Sequence, residues 1–303
     1  MFMLTLRHTE PTKPRPVVIM GAGGFVGKAS SRRLKADRVE VTDLTRKQVD
    51  LLTEDAPNRL TTYLSPEATL IVTSALAPCK NVPMLLDNLR MMEAVITAVK
   101  SCPVAHLVYI SSDAVYKDST SALNEFSCAE PGSLHGAMHL TREVMLKNEL
   151  PGVPQVFVRP TLIFGPGDPH DGYGPNRFSR LAADGKDIVL FGAGEERRDH
   201  IFIDDVAEII CRCVRHCATG IVNAATGTVT SFKAIAEVAA GLAQPPVKVR
   251  ESPRQGPMPH GGYRAFDTSL LRQVFPDLRF RPLETGLRET FAHSARPTTR
   301  QPT

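Results

Sequence analysis

The sequence predicts an α/β protein, a doubly wound parallel sheet with a smaller, interleaved C-terminal lobe, and three observations carry that prediction. Apolar strand-like runs alternate with helical periodicity from Val17 to Val158, which calls for right-handed crossovers between parallel strands. The first run, Val17 to Gly27 (VVIMGAGGFVG), breaks into glycines and resumes as a helix. Beyond Gly165 the texture changes to Gly- and Pro-rich stretches (GPGDPHDGYGPN, then Val247 to Gly262) separated by short elements.

Taken in order, residues 1–15 read as a flexible tail. In the glycine turn, Gly21, Gly24 and Gly27 fall three apart. A missing Cβ there lets the chain turn sharply and lets a phosphate approach the N–H groups at a helix N-terminus, the Rossmann-like arrangement for a dinucleotide. Phe25 and Val26 open that helix, which gives way near Ala36-Asp37 to a second strand at Val39-Glu40-Val41. A carboxylate at the end of this strand would bond the adenosine ribose and favour NAD, whereas an Arg would accommodate the 2′-phosphate of NADP. The chain offers both: Asp43 if the strand stops at Val41, Thr45-Arg46 if it runs to Leu44.

A short third strand is expected at Val49-Asp50-Leu51, with Asp50 either on the adenine amino group or an exposed loop carboxylate. Thr69 to Ala75 is a buried strand whose small C-terminal residues, Ala75 among them, would pass close to a cofactor. Val82 to Val99 is helical, and Ala105 to Ser111 is a strand that delivers Ser112 and Asp113 to its C-terminal end, where parallel sheets bind ligands. Asp204 to Val214 and Gly220 to Asn223 read as a helix and strand that rejoin the main sheet. The expected division is a tail over 1–15, a dinucleotide-binding unit over 16–165 plus about 201–226, and a substrate lobe over 166–200 plus 227–303.

The 303 residues carry 36 Lys and Arg against 32 Asp and Glu, both signs scattered, so no basic face points to nucleic acid or membrane. No apolar run is long enough to span a bilayer and no signal-peptide core is present, so a cytoplasmic location with reduced thiols is expected. Cys211, Cys213, His216 and Cys217 cluster in an apolar helical run without a second ligand group; they read as buried thiols, and no metal site is expected.

These motifs together resemble the extended short-chain dehydrogenase/reductase family, the nucleotide-sugar epimerases, dehydratases and reductases. The matching stretches are GAGGFVG at Gly21 to Gly27, Asn88, SSDAVY at Ser111 to Tyr116, and Glu125 with Pro131. Further on they are Arg159-Pro160 with Gly165-Pro166-Gly167, Arg198-Asp199 leading to Asp204-Asp205-Val206, NAATG at Asn223 to Gly227, and LETGLRET at Leu283 to Thr290. The resemblance implies an NAD or NADP cofactor, with Leu51 and Ala75 beside Gly21, Gly24, Phe25, Val26, Gly27, Asp43, Thr45, Arg46 and Asp50 in its site. It implies a nucleotide-sugar substrate held by Asn176, Arg198 and Arg264 along its diphosphate, with Ser112 and Asp113 near the sugar. It also implies a homodimer through the helices at Val82 to Val99 and His135 to Asn148.

The family's Ser or Thr after the central strand is matched by Ser112. Its Tyr and Lys, four residues apart on the next helix, are replaced: aligned on Pro131, Gly136 and Glu143, His135 takes the Tyr position and His139 the Lys position. A Tyr needs the Lys because its own pKa is near ~10, whereas a His with a pKa near ~6.5 exchanges a proton unaided. His135 as acid/base, Ser112 orienting the reacting oxygen and His139 on the nicotinamide ribose form a coherent site. The opposing interpretation is lost catalysis, a dinucleotide-binding sensor or scaffold, because His is shorter than Tyr and a misplacement of about 1 Å costs on the order of a hundredfold. A third is an oxidoreductase acting on a non-sugar carbonyl. Asp113 is followed by Ala114 where dehydratases carry Glu, which disfavours dehydration and leaves epimerase or keto-reductase chemistry.

Overall fold

The structure is a computed structural model describing residues 4–13 and 15–295. In chain order the first elements are β1 (Val17–Met20), α1 (Phe25–Ala36), β2 (Val41–Leu44), α2 (Ala56–Thr61), β3 (Thr69–Val72), α3 (Val82–Ser101), β4 (His106–Ile110), α4 (Leu134–Glu149) and β5 (Gln155–Pro160). Then follow β6 (Leu162–Phe164), α5 (Pro175–Ala183), β7 (Ile188–Phe191), β8 (Arg197–Phe202), α6 (Ile203–Arg215), β9 (Gly220–Ala224), β10 (Val229–Ser231) and α7 (Phe232–Leu242). The chain closes with β11 (Val249–Ser252), β12 (Tyr263–Arg264), α8 (Ser269–Val274) and α9 (Leu283–Ser294).

The central sheet has the order β2-β1-β3-β4-β5-β9, every pair parallel. Its strands are covered on both faces, so they read as continuous apolar runs and divide by alternation. Val18, Met20, Leu70, Val72, Leu107, Tyr109 and Phe157 pack toward α2, α3 and α4. Val17, Ile19, Ile71, Val108, Ile110, Val156 and Val158 pack toward Leu34 of α1 and Val206, Ile209 and Ile210 of α6. The smaller lobe is built on β10-β8-β12 with β6 paired to β8, a β7–β11 pair, and α5, α7 and α9 around an alanine-rich core that includes Ala236, Ala239 and Ala240.

Three sequence expectations are corrected. The chain over residues 4–12 is strapped down: Leu4 is buried, Thr5 exchanges backbone hydrogen bonds with Thr219 at 2.8 Å in both directions, and His8 N–H donates to His216 O at 3.1 Å. Met1 to Met3 and Pro14 lie outside the described residues. The second strand is displaced to Val41–Leu44, because pairing with β1 sets Val17 opposite Val41 and Met20 opposite Leu44. The segment Val49-Asp50-Leu51 is no strand: the Asp50 carboxylate accepts from Leu52 N–H at 3.2 Å and from Arg46 Nε at 2.8 Å, closing a local turn that competes with extended structure.

Candidate active site

The glycine turn between β1 and α1 is dictated by contacts. Gly21 has φ +97° and a Cβ there would lie 2.6 Å from Ser74 N, so the loop after β3 crosses directly over it. A Cβ on Gly27 would stand 2.3 Å from Gly21 O, so only glycine lets α1 sit down on the turn. Gly24 caps α1 with extended backbone and no side-chain hydrogen bond, and the first turn of α1 carries no acidic residue. Its N–H groups are left for an anion.

Two cavities flank this turn and share Gly24, Thr73 and Ala75. One, about 610 Å³, is lined by Gly21, Gly23, Thr45, Arg46, Lys47, Asp50 and Leu51. The other, about 530 Å³, is lined by Phe25, Val26, Gly27, Ser111, Ser112, His135 and His139, and across the cleft by Asp168, His170, Tyr173 and Asn176 of the smaller lobe. An unbranched glycine cradle with a chamber on each side suits a dinucleotide: pyrophosphate at the turn, adenosine in the first chamber, nicotinamide in the second. Asp43 stays out of both, its carboxylate bonded by Ser31 Oγ at 2.9 Å and by Lys35.

Ser112 stands at the C-terminal end of β4 and caps a single 3-10 turn, Asp113–Val115, accepting Ala114 N–H on its Oγ at 3.1 Å. The start of α4 is pressed against this turn, since a Cβ on Gly136 would be 2.0 Å from Ala114 O. That contact places His135 beside the strand end carrying Ser112, and both line the same chamber. The arrangement is anchored below by Glu143, fully buried, which accepts from Ser111 Oγ at 2.7 Å and from Arg159 Nε and Nη2 at 2.9 and 2.6 Å. Asn88 holds the opposite wall: its amide brackets Leu76 N–H and C=O at 2.9 and 3.0 Å and fixes the loop after β3.

His135 and His139 lie one turn apart on α4, their rings edge-on with centroids 4.8 Å apart. His135 Nδ1 accepts the backbone N–H of Cys79 at 3.4 Å. Burial pushes its pKa below the ordinary value, the Asp113 carboxylate works against that, and the neighbouring His170 adds to it. His139 is 5% exposed, its Nδ1 is 2.7 Å from Tyr109 Oη, and burial holds it well below the ordinary value, assisted by His135 and Arg142.

Other expected substrate contacts fall differently. Arg264 is buried with its guanidinium committed to Asp113 (Nε to Oδ2, 2.7 Å) and Asp118 (Nη1 to Oδ1, 3.0 Å), so neither Arg264 nor Asp113 lines the cleft. Arg198 pairs with Glu196 at 2.6 Å and lies outside the lining as well. Asn176 does line the cleft, with its amide accepting Gly165 N–H at 3.0 Å and donating to Asp168. Sequence reasoning passed over Thr73, which stitches β3 to the glycine turn through Met20 O and Gly21 O at 3.1 and 3.0 Å, and over Tyr109 and Arg142 behind His139. In the cysteine-rich helix α6, burial pushes the Cys211 and Cys213 thiols up to about 12 and keeps them protonated.

Comparison with known proteins bears on the fold and the family. Residues 17–225, from the first strand of the central sheet to just past its last, match the model of the NAD dependent epimerase/dehydratase family. A dTDP-4-dehydro-6-deoxy-D-allose reductase of Streptomyces bikiniensis is 26% identical over 93% of this chain and 98% of its own. Among solved structures, the GDP-L-fucose synthetase of Naegleria fowleri bound to NADP superposes with a TM-score of 0.82 at 17% identity, covering 97% of this chain and 96% of that one. The UDP-glucose 4-epimerase of Thermus thermophilus in complex with NAD gives 0.79 at 22% identity, covering 93% and 99%. The glycine turn between two chambers and a match that spans the whole central sheet lead to one conclusion: this chain belongs to the NAD-dependent epimerase/dehydratase family.

Proposed function

We infer that this protein is an NADP-dependent keto-reductase of a nucleotide-linked 4-keto-6-deoxy sugar. The observation that carries the choice is the end of β2. The strand runs through Leu44, so Thr45, Arg46 and Lys47 line the adenosine chamber while Asp43, the carboxylate that would favour NAD, is held by Ser31 and Lys35. Two cationic side chains beside a chamber at that place suit a 2′-phosphate. The reductase from Streptomyces, similar over nearly its full length, supports the substrate class.

The glycine turn and the α1 N-terminus would hold the pyrophosphate, Thr45 and Arg46 the adenosine end, and His139 the nicotinamide ribose. The cofactor, when bound, supplies the hydride. Ser112, whose oxygen already accepts Ala114 N–H, has its proton free to donate to the sugar carbonyl oxygen. His135, on the same wall, delivers a proton to that oxygen as negative charge develops on it. Ala114 takes the place of the dehydratase Glu, which leaves reduction without elimination. Asn176, on the cleft wall, is the candidate for the substrate diphosphate, and dimerisation is proposed through α3 and α4, which leave Val82, Leu86 and Val144 exposed.

The test is steady-state reduction of a dTDP-linked 4-keto-6-deoxyhexose with NADPH and with NADH. NADPH should be preferred, and Arg46→Ala should cut that preference by about tenfold or more, the worth of one charge-assisted hydrogen bond. A preference for NADH, unchanged by Arg46→Ala, would refute the cofactor assignment. Cofactor binding without turnover on any nucleotide sugar would favour the non-catalytic alternative, which the replaced Tyr and Lys support.

A further inference from the structure

We propose that Tyr109 and Arg142 are positioning residues that lock His139 as a neutral imidazole with its single proton on Nε2, presented to the cleft as a one-proton donor to a hydroxyl group. The argument is an accounting of protons in a buried cluster. Tyr109 is fully buried on β4, and its hydroxyl is bonded to His139 Nδ1 at 2.7 Å and to the Arg142 side chain. The Arg142 guanidinium lies over the phenol ring, with Cζ 5.2 Å from its centroid. A guanidinium can only donate, so the one acceptor open to the Tyr109 proton is Nδ1. Were Nδ1 to carry the proton instead, the phenol hydrogen would be buried without an acceptor, which is unfavourable. Nδ1 is therefore the acceptor, and the proton of neutral His139 resides on Nε2. No described residue bonds Nε2, and it keeps access to the chamber it lines with His135 and Ser112.

Arg142 also settles the charge. It is fully buried on α4, one turn beyond His139, and donates to Ser74 O at 3.0 Å. It forms no ion pair with a carboxylate among the described residues, and its Nε is without a partner. A permanent, uncompensated cation at this depth opposes a second positive charge on the adjacent imidazole. The groups facing His139 are Tyr109 from β4 and His135 and Arg142 from its own helix; none is an anion that would favour protonation. Where the family's Lys brings a mobile ammonium, this chain keeps the cation fixed behind the wall and offers a neutral N–H in front of it.

This inference rests on the reading of the cleft as the nicotinamide and sugar site only for what Nε2–H would bond; the tautomer itself is tested without cofactor or substrate. Nitrogen-15 NMR of imidazole groups in the full chain labelled at histidine, with His139→Gln supplying the assignment, should show Nδ1 bare and Nε2 protonated, unchanged through the neutral pH range. Tyr109→Phe, which keeps the ring, should move part of the population to the Nδ1–H tautomer. A protonated Nδ1 in the native chain, or a Tyr109→Phe spectrum identical to the native one, would overturn the proposal. If Tyr109→Phe does not fold, the native spectrum decides alone. A native chain with the Nε2–H tautomer but no reductase activity would defeat the proposed function and leave this inference standing.

Discussion

At the scale of the residue, the proposed reduction turns on whether His135 carries a second ring proton. Burial lowers its pKa beneath the usual ~6.5, and the Asp113 carboxylate limits the fall. The proposed reduction consumes a proton, so the competent form is the imidazolium, which gives up the bond Nδ1 accepts from Cys79 N–H and whose fraction is complete below the pKa and falls as pH rises through it. The reverse oxidation needs the neutral ring and follows the opposite limb. Asp113 is itself placed by Arg264, so the arginine expected on the substrate diphosphate is engaged with the carboxylate that biases His135. That pairing could not be read from sequence, because the two residues stand 151 apart and nothing in their neighbourhoods marks them as partners. Tyr109 was hidden for another reason: it occupies an inward position of an apolar strand and reads as core, with only its hydroxyl to suggest more.

At the scale of the element, the site exists because α4 approaches the turn after β4 closely enough for His135 and Ser112 to share a wall. Gly136 permits that approach. An alanine there would put its Cβ 2.0 Å from Ala114 O, a backbone atom that cannot swing aside. Gly136→Ala should therefore destabilise the fold by about 1–3 kcal/mol and lower turnover by displacing the turn. A thermal melt and turnover equal to the native protein would contradict this packing account. The glycines at Gly21, Gly24 and Gly27 were legible in the sequence because their need is local: a turn, a helix start and a close contact within seven residues. The end of β2 was not, since its extent depends on pairing with β1, and Asp50 lost its expected strand to a turn closed by its own carboxylate.

At the scale of the whole molecule, the two lobes are joined by short crossings at Pro160 to Leu162 and Phe202 to Ile203, and His170 reaches across the cleft to Ala77 O at 3.2 Å. The price of this construction is a set of neutral histidines in the interior, His139 of the cleft wall together with His106 and His200. Burial lowers His106 to about 4 and His200 to about 3. Their folded pKa values lie below the unfolded one, so the stability they contribute is whole above pH ~6.5 and drains away as pH falls toward 4 and 3. Asp205, raised to about 6 by burial, works in the other direction and offsets one of them. Each of His106 and His200 is expected to cost about 1.4 kcal/mol per pH unit in that window, the linkage of one proton. His200 sits edge-on to Phe232 in an apolar cluster, so His200→Phe should flatten the slope in urea titrations at successive pH values. An unaltered slope would show that His200 is not buried neutral.

In the proposed reaction a histidine takes over proton transfer from the Tyr and Lys of the family. The measurement that bears on it most directly is the pH dependence of kcat/KM for NADPH-driven reduction in the native protein and in His135→Ala. The native rate should fall as pH rises through a pKa below ~6.5, and His135→Ala should lose about a hundredfold or more in rate together with that limb while binding NADPH as before. Turnover by His135→Ala at the native rate, with the same limb intact, would contradict it.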